Sequence, residues 1–276
     1  MGSAEFEAYY RAVYRSRWDG LRRALLEERK PYFYTEGLLK PYALDRASAL
    51  GAKTLRCPGS GTILDACAAP GGKSLVIASL MAAGTELLSN EYSGERRRRL
   101  SRVLDEHLPG PLRARVRVSG FDAAKEGGRK TEQGRFAAIL LDAPCSSERH
   151  VLSQAALSGA ASPRVGLPRS GPQGVLDVWS PARPRFLKKR QWALLSSAFL
   201  LLKEGGSLVY ITCSLSPEEN DGPVSRLLAK YKEDVIIDEP DFAEGEKTLY
   251  GRIILPDTAE GMGPLYVARF LKRVRA

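Results

Sequence analysis

The chain has 276 residues, of which 43% are hydrophobic and 27% are charged. This length predicts one large domain, or one domain with a small extension, and the apolar content is enough for a sizeable core. No apolar run approaches the roughly 20 residues of a membrane span, and the polar start excludes a secretory signal. We therefore expect a soluble protein without a membrane partner.

The charge is unbalanced, with 42 Lys and Arg against 32 Asp and Glu and a formal net charge of +10. The cations cluster, and aromatic residues lie among some of them, in RAVYRSRWDGLRRALLEERK, ERRRRLSR, RPRFLKKR and RFLKRVR. Phosphate contacts and base stacking act together in RNA recognition, so this mixture predicts an RNA partner. The pattern does not identify a protein partner.

Four cysteines occur, at Cys57, Cys67, Cys145 and Cys213. A chain of this length needs no disulfides for stability, so we expect free thiols and a reducing, cytoplasmic setting. There are two histidines and neither a CxxC nor an HExxH pattern, so we expect no metal site.

The first part of the chain, residues 1–58, predicts a basic helical extension that contacts RNA, because Tyr9, Val13, Leu21 and Leu25 recur at roughly helical spacing. The turn cluster PGSG marks a boundary, and residues 59–276 predict the catalytic domain.

Strands and helices then alternate along this second part. The predicted strands are TILDAC, ELLSNE, RVRVSGFD, FAAILLDAPC, SLVYITCS, GRIILPD and GPLYVARFLKR. The predicted helices are KSLVIASLMAAG, GERRRRLSRVLDEHL, RFLKKRQWALLSSAFLLLKEGG and PEENDGPVSRLLAKYK, the last with Pro217 near its first position. This alternation predicts a mainly parallel sheet with helices on both faces. A Pro/Gly/Ser-rich insertion, residues 151–184, predicts a long loop.

Chemistry-bearing residues follow the predicted strands. The turn in LDACAAPGGKS lets backbone approach a nucleotide-like ligand, although it matches neither a dinucleotide nor a P-loop fingerprint. Glu91 ends the second strand of the domain, where an acid commonly holds ribose hydroxyls, and Asp122 ends the third. Asp142 and Cys145 follow the fourth strand, and Cys213 ends the fifth. Two thiols at polar strand exits favour a catalytic interpretation over buried structural cysteine, whereas Cys57 and Cys67 fit the structural one.

Three motifs, DACAAPGGKS, LLDAPCSS and YITCSLSPEEN, resemble the S-adenosylmethionine-dependent RNA cytosine-5 methyltransferases of the NSUN/RsmB (NOL1/NOP2/Sun) family. DAPCSSERHVL and GMGPLYVARFLKR look most like its mitochondrial rRNA branch, the NSUN4 branch. The resemblance spans about residues 58–272. It implies an α/β class I methyltransferase fold, Rossmann-like, with a seven-stranded mostly parallel sheet whose last strand is antiparallel.

The resemblance also implies roles for individual residues. Cys213 in the TC motif falls on the family's nucleophile, Cys145 in the PC motif on the residue linked to product release, and Asp142 on the residue that contacts the cytosine. The implied S-adenosylmethionine site comprises Cys67, Ala68, Ala69, Pro70, Gly71, Gly72, Lys73, Glu91, Arg96, Asp122 and Asp142. The implied substrate is RNA, in particular rRNA. The short extension leaves no room for the additional RNA-binding domain of many bacterial relatives, which leaves target selection open.

Other functions remain possible from the sequence. A tRNA cytosine-5 methyltransferase would use the same residues, and a DNA cytosine-5 methyltransferase would place its nucleophile in the PC motif. A non-catalytic RNA-binding ribosome-assembly factor could keep the cofactor pocket, but both thiols argue against it. A nicotinamide-dependent oxidoreductase is disfavoured by the missing glycine fingerprint.

Overall fold

The structure is a computed structural model, and it describes residues 2–28, 31–159, 176, 179–240 and 242–275. The helices in these residues are α1 (Gly2–Tyr14), α2 (Trp18–Leu26), α3 (Arg46–Lys53), α4 (Gly72–Leu80), α5 (Gly94–His107), α6 (Gly110–Arg113), α7 (Ala123–Glu126), α8 (Glu148–Gly159), α9 (Ala182–Leu201) and α10 (Asp221–Tyr231). The strands are β1 (Tyr32–Tyr34), β2 (Tyr42–Leu44), β3 (Ser60–Asp65), β4 (Gly84–Asn90), β5 (Val116–Ser119), β6 (Phe136–Asp142), β7 (Leu202–Thr212), β8 (Val235–Ile237), β9 (Glu246–Lys247), β10 (Arg252–Ile254) and β11 (Leu265–Lys272).

The central sheet has the order β5-β4-β3-β6-β7-β11. Its first five strands are parallel, and β11 runs antiparallel to β7. The free edge of β11 is shared, because β8 pairs with its second half and β10 with its first half, and β9 extends β10. Seven of the strands correspond to predicted ones, namely β3, β4, β5, β6, β7, β10 and β11, whereas β8 and β9 are short additions that the sequence did not predict. The order in which successive strands are added to the sheet reverses between β3 and β6. Open α/β sheets bind their ligands at such a switch point.

The middle strands are buried on both faces, as their continuous apolar sequences predict. In β6, Ile139 and Leu141 join one hydrophobic cluster, whereas Ala138 and Leu140 join a second cluster on the other face. The side-chain period of a strand explains this alternation. Helices cover both faces, so the sheet is a rigid base from which the strand ends project.

The N-terminal segment shares the core of the sheet. Phe6, Tyr10 and Trp18 have no exposed surface and lie in the same cluster as the buried side chains of β6 and β7. Trp179, from the far side of the predicted insertion, packs edge-on against Phe6. Helices α1 and α2 are therefore attached by aromatic contacts, which carry large buried areas.

Four predicted elements differ from the structure. The helix predicted over residues 185–206 ends at Leu201, and residues 202–206 already belong to β7. Residues 31–44 form the β1–β2 hairpin rather than helix, because aromatic residues favour strands and Tyr34 buries its ring against α3 and α4. Residues 151–159 of the predicted insertion loop are helical, in α8, whereas residues 160–175, 177 and 178 lie outside the described residues. The last predicted helix begins at Asp221, because residues 217–220 form a turn whose amides at Glu219 and Asn220 donate to Ser216.

No helix in the described part of the chain is long and apolar enough to cross a membrane.

Candidate active site

The strand ends bring the predicted residues to one edge of the sheet. Asp65 ends β3 and Asp142 ends β6, which are neighbours in the sheet. Cys145 follows β6 and Cys213 follows β7, which pair up to Asp142 and Ile211. The two cysteine-bearing loops therefore leave adjacent parallel strands side by side. We call residues 143–148 the PC loop and residues 213–220 the TC loop.

The two thiols are in direct contact. Cys145 Sγ lies 2.6 Å from Cys213 Sγ, and the backbone N–H of Cys213 donates to Cys145 Sγ at 3.2 Å. The hydroxyl of Ser147 lies 3.1 Å from Cys213 Sγ. The hydrogen bond with Cys145, helped by that of Ser147, lowers the pKa of Cys213 despite its burial. The same hydrogen bond and burial raise the pKa of Cys145 well above its usual value. Cys213 is thus the more acidic thiol of the pair and Cys145 the less acidic one.

A half-buried ion pair lies next to these sulfur atoms. Lys73 Nζ is 2.7 Å from Asp142 Oδ2 and 3.3 Å from the Ser48 hydroxyl. Burial alone would lower the pKa of Lys73, but attraction to Asp142 outweighs it and the net shift is upward. Lys73 is therefore an ammonium ion, and it was assigned to the cofactor loop from the sequence. The structure shows that its amine also reaches the space in front of Cys213.

Three cavities open along this edge of the sheet. The thiol cavity, about 260 Å³, is lined by Ser48, Lys73, Asp142, Ser147, His150 and Cys213. The glycine-loop cavity, about 270 Å³, is lined by Tyr42, Asp65, Cys67, Pro70, Lys73 and Asp142. The Glu91 cavity, about 190 Å³, is lined by Cys67, Glu91, Arg96, Ala123, Pro144 and Arg190. Shared walls connect the three, so one elongated ligand could extend from the Glu91 cavity to the thiols.

The glycine turn is shaped by close packing. Gly71 has φ +121°, and a Cβ there would lie 3.0 Å from Val103 Cγ1. A Cβ on Gly72 would lie 2.9 Å from the Tyr42 ring. Only glycine fits at Gly71, because both its conformation and its surroundings exclude a side chain. The turn thus passes into α4 at Gly72 with its backbone against the glycine-loop cavity.

Two buried carboxylate oxygens at these cavities have no hydrogen-bond partner in the protein. Asp65 Oδ2 accepts from the Ser74 hydroxyl at 2.7 Å, whereas Oδ1 is buried and unpaired. Burial raises the Asp65 pKa to about 7. Glu91 Oε2 lies 3.2 Å from Arg96 Nη1 but lacks hydrogen-bond geometry, although Oε1 accepts from the Ser93 amide. Unpaired buried acceptors are costly and are typical of ligand sites.

These acceptors are the groups that S-adenosylmethionine requires. Its amino-acid ammonium would find an acceptor at Asp65 Oδ1, and its ribose hydroxyls would find one at Glu91 Oε2. The residues present therefore fit this cofactor. Arg96 supports the arrangement by donating to the Ala69 carbonyl at 2.9 Å, which ties the Glu91 side to the glycine turn.

The remaining predicted residues line or border the cavities. Asp122 caps α7 by accepting from the Ala124 amide and lies 3.3 Å from Arg190 Nη2, so it borders the Glu91 cavity through its neighbour Ala123. Cys67 lines two cavities, and burial raises its pKa, which disfavours it as a nucleophile. Ala68 is buried in the wall of the glycine-loop cavity.

Sequence reasoning missed two parts of the site. The hairpin strand β2 and the start of α3 supply Tyr42, Asp45 and Ser48 to the cavity walls, and no local pattern marked them. Glu148 and Glu219, quoted within the motifs but given no role, are fully buried beneath the thiols. Their positions in polar, turn-rich sequence gave no signal of burial.

The sheet order, the antiparallel β11 and the cavities at the strand ends define a class I methyltransferase fold. The crystal structure of NSun6 from Pyrococcus horikoshii with SFG has this fold, with a TM-score of 0.64 over 87% of this chain and 55% of that chain, at 23% identity.

The sequence places the chain within this class. The sequence model of the family described as 16S rRNA methyltransferase RsmB/F matches residues 52–156 and 180–271, and the chain belongs to that family. A mitochondrial tRNA (cytosine(34)-C(5))-methyltransferase of Mus musculus is 32% identical over 86% of this chain and 65% of the relative. The 5-cytosine rRNA methyltransferase NSUN4 of Bos taurus is 30% identical over 86% and 60%. The predicted family is confirmed, and the chain spans less than two thirds of these relatives' length.

Proposed function

We propose that the protein is an S-adenosylmethionine-dependent RNA cytosine-C5 methyltransferase whose nucleophile is Cys213. The observation that carries this proposal is the thiol pair, in which Cys145 lowers the pKa of Cys213 beside a cavity that also holds the Lys73–Asp142 ion pair. Only the thiolate is nucleophilic, so a lowered pKa gives Cys213 a larger share of the reactive form than an ordinary cysteine has.

The thiol cavity has the size and lining that a flipped pyrimidine requires. A base must leave its stack before an enzyme can reach its ring atoms. Asp142 and Lys73 offer an acceptor and a donor to the polar edge of cytosine, and Cys213 lies on the same cavity wall. Addition of the Cys213 thiolate to C6 forms an S–C6 bond and makes C5 enamine-like, and Asp142 stabilises the adduct at the N3/N4 edge.

S-adenosylmethionine, when bound, supplies the electrophilic methyl group that C5 takes up. The SFG of the NSun6 structure is an analogue of this cofactor. In this chain, Asp65, Glu91 and the glycine turn would hold it, and the shared wall at Asp142 and Lys73 connects its cavity with that of the base.

Cys145 is assigned to the elimination step. The hydrogen bond and charge of Cys213 raise the pKa of Cys145 in the free protein. Once Cys213 is bonded to carbon, its negative charge is gone, so Cys145 can release its proton to solvent and then accept the C5 proton. The C6–S bond then breaks and regenerates the Cys213 thiolate.

The two thiols can be separated by experiment. With Cys213→Ala, we expect methylation of RNA to fall to background while cofactor binding survives. With Cys145→Ala, Cys213 keeps only the hydrogen bond with Ser147, so attack and methyl transfer continue at a lower rate, but elimination slows more, and a covalent protein–RNA band should appear on a denaturing gel. The double variant should lose that band. A band with Cys213→Ala and none with Cys145→Ala would reverse the two roles.

The RNA itself is part of the proposal. The family description favours rRNA as the substrate of this protein. The relatives include both tRNA and rRNA enzymes at similar identity, so tRNA is the alternative substrate. Bisulfite sequencing of total RNA with and without the gene distinguishes the two. A cytoplasmic location fits the four free cysteines, and imaging of a tagged chain would test it against the mitochondrial location in one relative's name.

The surface proposed to contact RNA is the start of α9. Arg183, Arg185 and Lys189 are exposed there around Phe186, whose surface is 72% exposed. Exposed aromatic and cationic side chains together bind single-stranded nucleic acid. In the N-terminal segment, by contrast, Arg17 is held by Asp257 and Glu246. We therefore assign phosphate contacts first to α9 and second to the remaining N-terminal cations.

A further inference from the structure

Two carboxylates beneath the thiols connect the PC and TC loops. Glu148 ends the PC loop and Glu219 belongs to the TC loop, and neither side chain has exposed surface. The mechanism proposed above uses neither of them. Buried carboxylates are rare unless they are paired or hydrogen-bonded, so their partners are informative.

Each carboxylate binds the opposite loop at the residue that follows its cysteine. Glu219 accepts from the Ser146 amide at 3.0 Å and from the Ser146 hydroxyl at 2.5 Å. Glu148 accepts from the Ser214 hydroxyl at 3.2 Å and from the Leu215 amide at 3.0 Å. Because Ser146 follows Cys145 and Ser214 follows Cys213, this reciprocal exchange fixes the two backbones that carry the thiols.

This cluster has more close oxygen pairs than protons to fill them. Four oxygens, from the Ser146 and Ser214 hydroxyls and from Oε1 of Glu148 and Glu219, form five close pairs. If both carboxylates were ionised, only the two hydroxyl protons would be available for these pairs. A proton on one carboxyl group adds a third donor and removes the repulsion between two adjacent negative charges.

The surroundings also favour a neutral carboxyl group. Glu219 accepts a hydrogen bond from the Gln191 side-chain amide at 2.8 Å, and Glu148 accepts one from the Tyr10 hydroxyl of α1. The other titratable groups packed around the pair are three tyrosines, Glu218 and the two thiols, and their charged forms are all negative; the tyrosines are Tyr9, Tyr14 and Tyr210. Neither carboxylate forms an ion pair with a cation among the described residues. Burial and the neighbouring Glu148 raise the Glu219 pKa to about 7.

We propose that Glu148 and Glu219 share one proton and act as positioning residues, locking the PC and TC loops so that Cys145 and Cys213 stay in contact. This inference rests on the proposed function for its catalytic meaning. Loss of the shared proton to solvent leaves two adjacent buried carboxylates, which repel each other and separate the loops. Cys213 then loses the thiol donor that lowers its pKa.

Glu219→Gln tests the proposal because glutamine is neutral at every pH and keeps one acceptor and one donor. The matched control is Glu218→Gln, which removes a neighbouring carboxylate that lies on the surface beside Arg185 and Lys188. Proximity of the thiols is measured by the rate of Cys145–Cys213 disulfide formation with diamide as the oxidant, followed by mass spectrometry. Methyl transfer is measured in parallel as kcat and KM.

The ratio of wild-type to Glu219→Gln rates cancels the titration of the thiols themselves. Between about pH 6 and about pH 9, we expect this ratio to fall at least about tenfold for disulfide formation and for kcat, with KM little changed. Glu218→Gln should follow the wild type. A ratio that does not change with pH would overturn the shared-proton proposal. A Glu219→Gln variant that no longer forms the disulfide already at about pH 6 would overturn it as well.

A second variant covers the case in which Glu219→Gln does not fold. Ser146→Ala removes the hydroxyl that contacts both carboxylates, and it should slow disulfide formation about tenfold or more at about pH 6. An unchanged rate would contradict the lock. If the disulfide ratio shifts with pH but the wild type does not methylate cytosine in RNA, the proposed function fails and the lock stands. If methylation occurs and the ratio is flat, the lock fails alone.

Discussion

Replacing Asp65 by Asn removes a buried charge from the glycine-loop cavity and keeps the size of the side chain. In the wild type, burial raises the Asp65 pKa to about 7, and Oδ1 has no partner in the protein. An ammonium group at Oδ1 requires the ionised carboxylate. Cofactor affinity should therefore fall as the pH drops through about 7, because the proton on Asp65 must first be released.

The size of this effect follows from the pKa. If only the ionised form binds, the apparent Kd grows by the factor 1 + 10 raised to the power (pKa − pH), which makes it about eightfold weaker at about pH 6 than at about pH 7.5. That ratio corresponds to about 1.2 kcal/mol. Asp65→Asn should bind about 10- to 100-fold more weakly than the wild type at about pH 7.5, because a charged hydrogen bond contributes roughly 1.5–3 kcal/mol. Its affinity should not depend on pH.

Isothermal titration with S-adenosylhomocysteine measures both quantities, and this ligand avoids turnover. In buffers of different ionisation enthalpy, binding to the wild type at about pH 6 should release close to one proton, and binding to Asp65→Asn should release none. Asp105→Asn, a change at an exposed carboxylate of α5, is the matched control. A wild-type affinity that is flat between the two pH values, or an equal slope in Asp65→Asn, would refute the assignment of Asp65 to the ammonium.

Three further predictions concern stability and RNA. Phe6→Ala should lower the free energy of unfolding by about 3–5 kcal/mol in urea titrations, whereas Phe33→Ala, whose ring is 55% exposed, should cost less than about 1 kcal/mol. Equal losses would contradict the docking of α1. The raised Glu219 pKa stabilises the fold fully below its unfolded value of 4.5, and this contribution of about 3 kcal/mol at most is lost as the pH rises through about 7. Glu219→Gln should lack that decline between about pH 5 and pH 8, and an identical decline in both proteins would count against it. Finally, Lys189→Gln should reduce the log–log salt slope of RNA binding by about 0.7. The control Lys203→Gln, at the opposite edge of the sheet, should leave the slope unchanged. Equal slopes for the two variants would argue against phosphate contacts by α9.

The features that the sequence predicted correctly are those with a local signal. The continuous apolar run of β6 and the turn residues after Asp65 specify a buried strand and a ligand turn within a few residues. Parallel strands then bring their carboxyl ends to one edge without further information. That is why the sequence placed Cys145 and Cys213 at strand ends, whereas their contact depends on the pairing of β6 with β7.

The features that the sequence did not reveal depend on contacts between distant segments. Tyr42 and Ser48 reach the cavities only because the β1–β2 hairpin and α3 pack on α4, and no pattern within residues 31–53 indicates that docking. Glu148 and Glu219 lie 71 positions apart, and each looks like an exposed turn residue in its own segment. Their burial arises from the crossing of two loops, which only the tertiary structure specifies.

Helix α1 connects the aromatic cluster of the N-terminal segment with the buried carboxylates. The Tyr10 hydroxyl donates to Glu148, while its ring stacks on Trp18 at 5.3 Å between centroids, inside the aromatic cluster that holds α1 and α2 on the sheet. Burying the two carboxylates opposes folding, because a charged or unpaired carboxyl group loses its hydration. The aromatic contacts offset that cost with apolar area, and they also exclude water from the carboxylates, which keeps their shared proton in place. The N-terminal helices therefore act on the thiols through Glu148, even though neither helix contributes a residue to the lining of the thiol cavity among the described residues.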